Sequence, residues 1–221
     1  MGFDPKNDWF DPAVSAYVGA HTAQPDELQR ALIVETAERT GNRAGMQVSA
    51  DQGSLLALFV GLTGARHVVE VGTFTGYSSL AMARALPPGG RLLCCDVSEE
   101  WTGIARRYWA DAGVSDRITL RIAPAIQTLR DLPLDDPIDL AFIDADKTGY
   151  AAYYEEILTR MRSGGVILVD NTLWGRRIFD DADQTDDTVA LRAFNDMVTE
   201  DHRVESYLLP VGDGVTLIRK K

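Results

Sequence analysis

The sequence predicts an α/β fold: a Rossmann-like, mostly parallel seven-stranded sheet with helices on both faces and one antiparallel strand in a C-terminal hairpin. Three observations predict it. From residue 66 onward, short β-branched runs alternate with helical patterns of roughly 10–15 residues, as in right-handed βαβ units. The stretch Arg66-His-Val-Val-Glu-Val-Gly-Thr-Phe-Thr-Gly-Tyr-Ser78 reads as a buried strand, a glycine turn and a helix start. Finally, the last two apolar runs are joined only by Pro210-Val-Gly-Asp-Gly214, which leaves no room for a crossover helix and forces a hairpin.

Taken in order, residues 1–50 form a helical N-terminal extension of a single domain spanning 1–221, with 51–221 as its core. Helical patterns cover 11–19 and 25–39; Asp26 and Glu27 suit the start of the second, and Thr40-Gly41-Asn42 ends it. A helix over 51–63 places Leu55, Leu56, Phe59 and Leu62 on one face. Strand 66–71 then leads to helix 77–86, which Leu86-Pro-Pro-Gly-Gly90 breaks. Strand 91–96 leads to a helix from Ser98 to Ala112, with Ser98 as its cap and Gly113 at its end. Strand 117–122 precedes a short helix at 124–131, and strand 138–143 precedes a helix at 148–161. Ser163-Gly-Gly165 breaks to strand 166–170. A long acidic loop follows, then a helix at 187–200 and strands 203–209 and 214–219.

With 221 residues, 45% of them apolar and 25% charged, the chain has the makeup of one ordinary globular domain. The formal net charge of −11 repels phosphate backbones and argues against a nucleic-acid partner. Arg176-Arg177 and Arg219-Lys220-Lys221 read more plainly as solvated surface charge. Cys94 and Cys95 are strand neighbours that point to opposite faces, so they do not pair with each other, and they suit a reducing compartment. No run approaches the roughly 20 apolar residues of a membrane span. The N-terminus shows neither a secretory pattern nor a myristoylation site, since Lys6 stands where Ser or Thr is needed. A cytoplasmic protein with no membrane contact is expected.

In an open α/β sheet, ligands bind outside the carboxyl ends of the strands. Four strands end in an acid there: Glu70, Asp96, Asp144 and Asp170. The glycine turn has the spacing Glu-x-Gly-x-x-x-Gly, not the Gly-x-Gly-x-x-Gly of dinucleotide folds. Asp96, about 20 residues past the turn, suits a ribose diol or a helix cap. Asp144, Asp170 and Asn171 offer oxygen ligands from neighbouring strands, which fits a hard cation such as Mg²⁺; ordinary turn polarity is the alternative. Lys147, three residues past Asp144, is either a general base or an exposed helix-start lysine. His21, His67 and His202 do not cluster, and His67 reads as a structural strand residue. Ser78 and Ser79 lack a nucleophile elbow, which disfavours hydrolysis. Trp174 suits a pocket wall, whereas Tyr150, Tyr153 and Tyr154 read better as helix packing.

Four segments then occur in order: Glu70-Val-Gly-Thr-Phe-Thr-Gly-Tyr-Ser78, Ile143-Asp-Ala-Asp-Lys147, Asp170-Asn-Thr-Leu-Trp174 and Leu209-Pro-Val-Gly-Asp-Gly-Val-Thr-Leu217. Together they resemble the cation-dependent class I O-methyltransferases of the catechol and caffeoyl-CoA type, from about Met46 to the C-terminus. The resemblance implies that Glu70, Gly72, Thr73 and Ser78 hold the methionine part and one ribose edge of S-adenosylmethionine (SAM). It gives Asp96 the ribose hydroxyls, Ala125 the adenine, Val48 a covering role and Asp146 a place near the cofactor's amino group. Asp144, Asp170 and Asn171 match ligands of Mg²⁺, or of Mn²⁺ or Ca²⁺. Lys147 matches the catalytic base, with Asp144 beside it, and Trp174 the wall of the substrate pocket.

The implied reaction is methyl transfer to a hydroxyl of a small, catechol-like phenolic acceptor by a homodimer, with the 1–50 extension shaping the acceptor pocket. The first 45 residues and the loop 175–187 depart from the plant enzymes, which argues against a CoA-thioester acceptor. Ala123 stands where the family often has glycine. The alternative within the family is methylation of a hydroxylated uridine in tRNA, which the net charge disfavours. A nicotinamide oxidoreductase lacks its glycine fingerprint here, and a non-catalytic binding protein would not need Asp144, Lys147, Asp170 and Asn171 together.

Overall fold

In a computed structural model that describes residues 12–221, strands β1 (His67–Val71), β2 (Arg91–Asp96), β3 (Ile118–Ile122), β4 (Ile138–Ile143), β5 (Met161–Val169), β6 (Val204–Leu209) and β7 (Val215–Lys220) form one sheet. Its order is β3-β2-β1-β4-β5-β7-β6. Strands β1 to β5 run parallel, and β7 runs antiparallel to both β5 and β6, so one reversed strand sits next to the edge. This is the predicted topology. The helices are α1 (Pro12–Ala20), α2 (Glu27–Thr40), α3 (Ala50–Thr63), α4 (Tyr77–Ala85), α5 (Glu99–Asp111), α6 (Ala125–Arg130), α7 (Tyr150–Arg160) and α8 (Asp186–Glu200). The readings of secretion and myristoylation rest on residues outside the described ones. No helix among the described residues is long and apolar enough to cross a membrane.

Because strand side chains alternate, each strand feeds two cores. Val68, Leu92, Cys94, Leu140, Phe142 and Leu168 pack against the face carrying Leu32, Leu56, Leu80 and Ile104 from α2 to α5. Val69, Val71, Cys95, Ala141, Ile143 and Ile167 pack against the face of α6 to α8, with Leu129, Tyr154, Ile157 and Phe194. Cys94 and Cys95 are thus buried on opposite faces as free thiols.

Ser98 caps its helix as predicted, and Asp26, expected only as an acid at a helix start, is an N-cap as well. Asp26 accepts from Gln29 N at 2.8 Å, and the Gln29 side chain closes a capping box on Asp26 N. Ser98 Oγ accepts from Trp101 N. Most boundaries fall within two residues of the sequence reading, and two regions differ further. Strand β5 starts at Met161 instead of 166, because Met161 already pairs with Ile138 before an irregularity over the Ser-Gly-Gly segment, after which pairing resumes at Val166. The loop 175–187 opens as a 3₁₀ turn (Trp174–Phe179), interrupted by left-handed Gly175 and Arg176. The extension is tied to the core through a buried hydrogen bond, Thr36 Oγ1 to Thr75 Oγ1 at 2.8 Å, so α2 bears on the glycine turn.

Candidate active site

One cavity of about 840 Å³ opens along the carboxyl ends of β1, β2, β4 and β5. On the side of the glycine turn its wall carries Val48, Gly72, Thr73, Ser78, Asp96 and Ala125. On the other side it carries Asp144, Asp146, Lys147, Asn171 and Trp174. Two predicted residues, Glu70 and Asp170, do not line it. Both are buried, Glu70 bonded to Ser78 of the wall and Asp170 to the backbone of Asn171.

The glycine turn is built by close approach. Gly72 has φ +89°, and its N–H donates to Cys95 O at 2.9 Å. A Cβ there would stand 1.8 Å from the carbonyl oxygen of Asp144. The backbone that would cradle a ligand is therefore in direct contact with the end of β4. Asp96 completes the turn: Oδ2 accepts from Thr73 N at 2.9 Å and Phe74 N at 2.8 Å, and Oδ1 accepts from Ser98 N at 2.7 Å. Phe74 consequently holds a left-handed backbone, φ 51°. Asp96 is thus a structural anchor of the turn, a duty that neither sequence reading assigned to it; lone pairs are left for a ribose hydroxyl.

Glu70 is fully buried. Ser78 Oγ donates to its Oε1 at 2.6 Å, while Oε2 and the buried Thr73 Oγ1 make no hydrogen bond of ordinary geometry. Thr73 stands on the cavity wall, so its unpaired hydroxyl beside the glycine cradle fits a polar ligand in this half of the cavity. Burial pushes the Glu70 carboxyl up to about 7, against the Ser78 hydrogen bond, which pulls it down. The sign for stability follows. The folded state keeps a proton that the unfolded chain releases, so this contribution is full below the ordinary glutamate range and is lost as pH rises towards 7. Glu70→Gln is expected to raise the melting temperature at pH 8 relative to wild type and to flatten its fall between pH 5 and 8. A melting series showing the same slope in both proteins would refute the assignment.

The other half gathers the candidate cation ligands and the lysine. Lys147 Nζ, 7% exposed, donates to Asn171 Oδ1 at 2.7 Å, Tyr150 Oη at 2.6 Å and Asp144 Oδ1 at 3.2 Å. It is a buried residue, not an exposed helix-start lysine. Tyr150 Oη in turn donates to Asp170 O at 3.1 Å. Asp170 Oδ1 accepts from Asn171 N. Burial, and next the charge of Asp144, push the Asp170 carboxyl up to about 7, with Lys147 opposing. The charge of Asp144 raises the cost of ionising Asp170, and the oxygens of Asp144 and Asn171 meet at Lys147 Nζ, so the set calls for positive charge. All donors are oxygen, so the residues present fit a hard divalent cation. No three His, Cys, Asp or Glu side chains gather into a cation cage among the described residues; the candidate set is two carboxylates and an amide.

Trp174 closes this half, with Lys147 Nζ 5.5 Å from its ring centroid. Asn171 (φ 59°) and Trp174 (φ 48°) are both left-handed; asparagine tolerates this, but a tryptophan there stores about 1–3 kcal/mol of strain. Asp146 accepts from Tyr153 Oη at 2.6 Å. Sequence reasoning missed Tyr150, whose spacing marked it as helix packing, and Gln52, whose buried amide faces Asp170 from α3. Neither carries a local signal; both are reached only through the fold. His67 is structural as expected: it is buried, its Nδ1 lies 3.2 Å from Pro137 O, and burial lowers its pKa.

Known proteins place this geometry. The O-methyltransferase family pattern matches residues 19–221. A Dictyostelium discoideum protein named "Probable caffeoyl-CoA O-methyltransferase 2" is 41% identical over 215 residues, covering 96% of this chain and 93% of its own. The caffeoyl-CoA O-methyltransferase of Populus kitakamiensis is 36% identical, covering 93% and 89%. Among solved structures, the O-methyltransferase TomG from Streptomyces achromogenes, determined with SAM, superposes with a TM-score of 0.84 at 32% identity, covering 95% and 96%. These matches correct one expectation. Similarity was expected to begin near Met46, yet it extends to residue 19 and takes in α2, including against a plant enzyme. The divergence of the first 45 residues therefore no longer argues against a CoA acceptor. With the glycine cradle, the lysine and its oxygen cluster in one cavity, and with similarity along nearly the whole chain, this protein belongs to the O-methyltransferase family.

Proposed function

We propose that this enzyme moves the methyl group of SAM to a hydroxyl of a small ortho-diphenol, with a divalent cation at Asp144, Asp170 and Asn171. The observation that carries the reading is the convergence of Asp144 and Asn171 on Lys147 Nζ, each within hydrogen-bond distance of it, in the same cavity as the glycine turn. SAM supplies an electrophilic sulfonium methyl, and a cation at the oxygen cluster would make a phenol more acidic.

The chain's own residues do the rest. Gly72, Thr73 and Ser78 would seat the methionine part and Asp96 the ribose, with Ala125 beside the adenine, Val48 over the cofactor and Asp146 near its amino group. Glu70 holds Ser78 from behind. Lys147, in its free-base form, would take the hydroxyl proton at Nζ, and Trp174 would flank the aromatic ring. Reaction then depends on positioning and electrostatics.

Charge favours a small acceptor. The wall bears Asp96, Asp144, Asp146, Asp187 and Asp213 against Arg43 and Lys147, an unfavourable surface for the phosphates of CoA or of tRNA. A cytoplasmic location and a homodimer belong to the same proposal and rest on the family resemblance.

A screen of diphenols with labelled SAM tests the reading. Transfer to at least one diphenol is expected with Mg²⁺, Mn²⁺ or Ca²⁺, and its loss in excess chelator, restored by added cation. Equal turnover with chelator present would remove the cation from the proposal; transfer only to CoA esters or to tRNA would remove the acceptor.

A further inference from the structure

The segment after β5 carries Asn171 and Trp174 in left-handed conformations that it would not hold alone. What holds it is the turn between β6 and β7. Thr172 N donates to Gly214 O at 3.0 Å and Leu173 N to Asp213 O at 2.9 Å. Thr216 Oγ1 donates to Thr172 Oγ1 at 3.0 Å. Gly214, with φ +85°, lies so close that a Cβ would stand 2.7 Å from Leu173 N. Those contacts are backbone or buried hydroxyl, and they end at Leu173. Beyond it, one side chain continues the clamp: Asp213 Oδ1 accepts from Gly175 N at 2.5 Å. Asp213 also stands on the cavity wall.

We propose that Asp213 is a positioning residue for the acceptor side of the cavity: by gripping the N–H that follows Trp174, it sets the indole against Lys147. The hydrogen bond is charge-assisted and short, and it spans the last link between a rigid hairpin and a strained backbone. The bond reaches 38 residues back along the chain and ties the hairpin turn to the segment that carries Trp174. Seen this way, the C-terminal hairpin is part of the acceptor pocket, although its strands lie far from the glycine turn in sequence. The inference rests on the proposed diphenol acceptor for its kinetic readout, but not for its spectroscopic one.

The test compares wild type, Asp213→Ala and Asp213→Asn. Asparagine keeps an Oδ1 acceptor for Gly175 N; alanine does not. Acceptor KM with a diphenol substrate is expected to rise about tenfold in D213A, the scale of one charge-assisted hydrogen bond, with SAM KM within about twofold of wild type and most of the loss recovered in D213N. Independently, the emission of Trp174, taken as the difference between each protein and its Trp174→Phe counterpart, is expected to shift in D213A and return in D213N. A purely structural role would lower the melting temperature of D213A while leaving the KM ratio and the Trp174 emission in place, and that result would overturn the proposal. Where D213A does not fold, Asp213→Ser, whose hydroxyl falls short of Gly175 N, takes its place with the same expectations. If wild type methylates no diphenol, the acceptor reading fails while the emission difference still decides the role of Asp213.

Discussion

Lys147→Ala is expected to lower methyl transfer to a diphenol by about 10²–10⁴-fold, the range of a positioned general base, with SAM binding nearly unchanged. The argument starts from burial. A lysine this deep is retained only where its charge and donors are used, and Nζ meets Asn171, Tyr150 and Asp144 within 2.6–3.2 Å. No other lysine or histidine among the described residues stands on the cavity wall. Removing Nζ also leaves Asp144 and Asp170 without their nearest compensating charge, so some loss of stability will accompany the loss of rate. Lys147→Met, which keeps the stem packed between Tyr150 and Trp174, separates the two effects: its melting point should lie nearer wild type while its rate stays low. Single-turnover rates, with SAM affinity by calorimetry, provide the check. A K147M enzyme of full activity would end the role of Lys147 as base.

Gly72→Ala is expected to be the most damaging small substitution in the core. Two costs add. The φ of +89° is strained for any residue with a Cβ, and the new carbon would overlap the Asp144 carbonyl oxygen, a backbone atom that cannot swing away. Asp144 is itself held, through its N–H to Val71 O at 2.8 Å. Relief requires β1 and β4 to part at their carboxyl ends. A loss of about 3 kcal/mol or more is expected, a fall of roughly 6–12 °C in melting temperature for a domain of this size. Because the strand ends carry both halves of the cavity, SAM affinity should fall by more than about tenfold as well. Thermal melts and calorimetry on G72A test this, and a variant with the melting point and SAM affinity of wild type would show that the contact is soft.

Much of the site was legible because its chemistry is local. Glu70, Gly72 and Ser78 lie within one strand–turn–helix unit, so spacing alone placed them together. Asp144 and the pair Asp170-Asn171 each follow an apolar strand run, and a parallel sheet brings such ends to one rim whatever the loops do. The N-terminal extension was harder. Its helices were readable, but not its attachment, because Thr36 and Thr75 meet across 39 residues. Tyr150 looked like one of three helix-face tyrosines, and only the turn at Lys147–Gly149 aims its hydroxyl at the lysine.

The amino-acid order by itself determined the sheet, its one reversed strand and the rim on which the functional groups stand, because alternation, glycine turns and strand-end acids are short-range signals. Tertiary structure alone decided which of those groups touch. It buried Glu70 and Asp170, turned Asp96 into the anchor of the glycine turn, and brought Asp213 to Gly175. Contacts between residues far apart in sequence depend on how layers pack, and packing is not encoded in the spacing along any one segment.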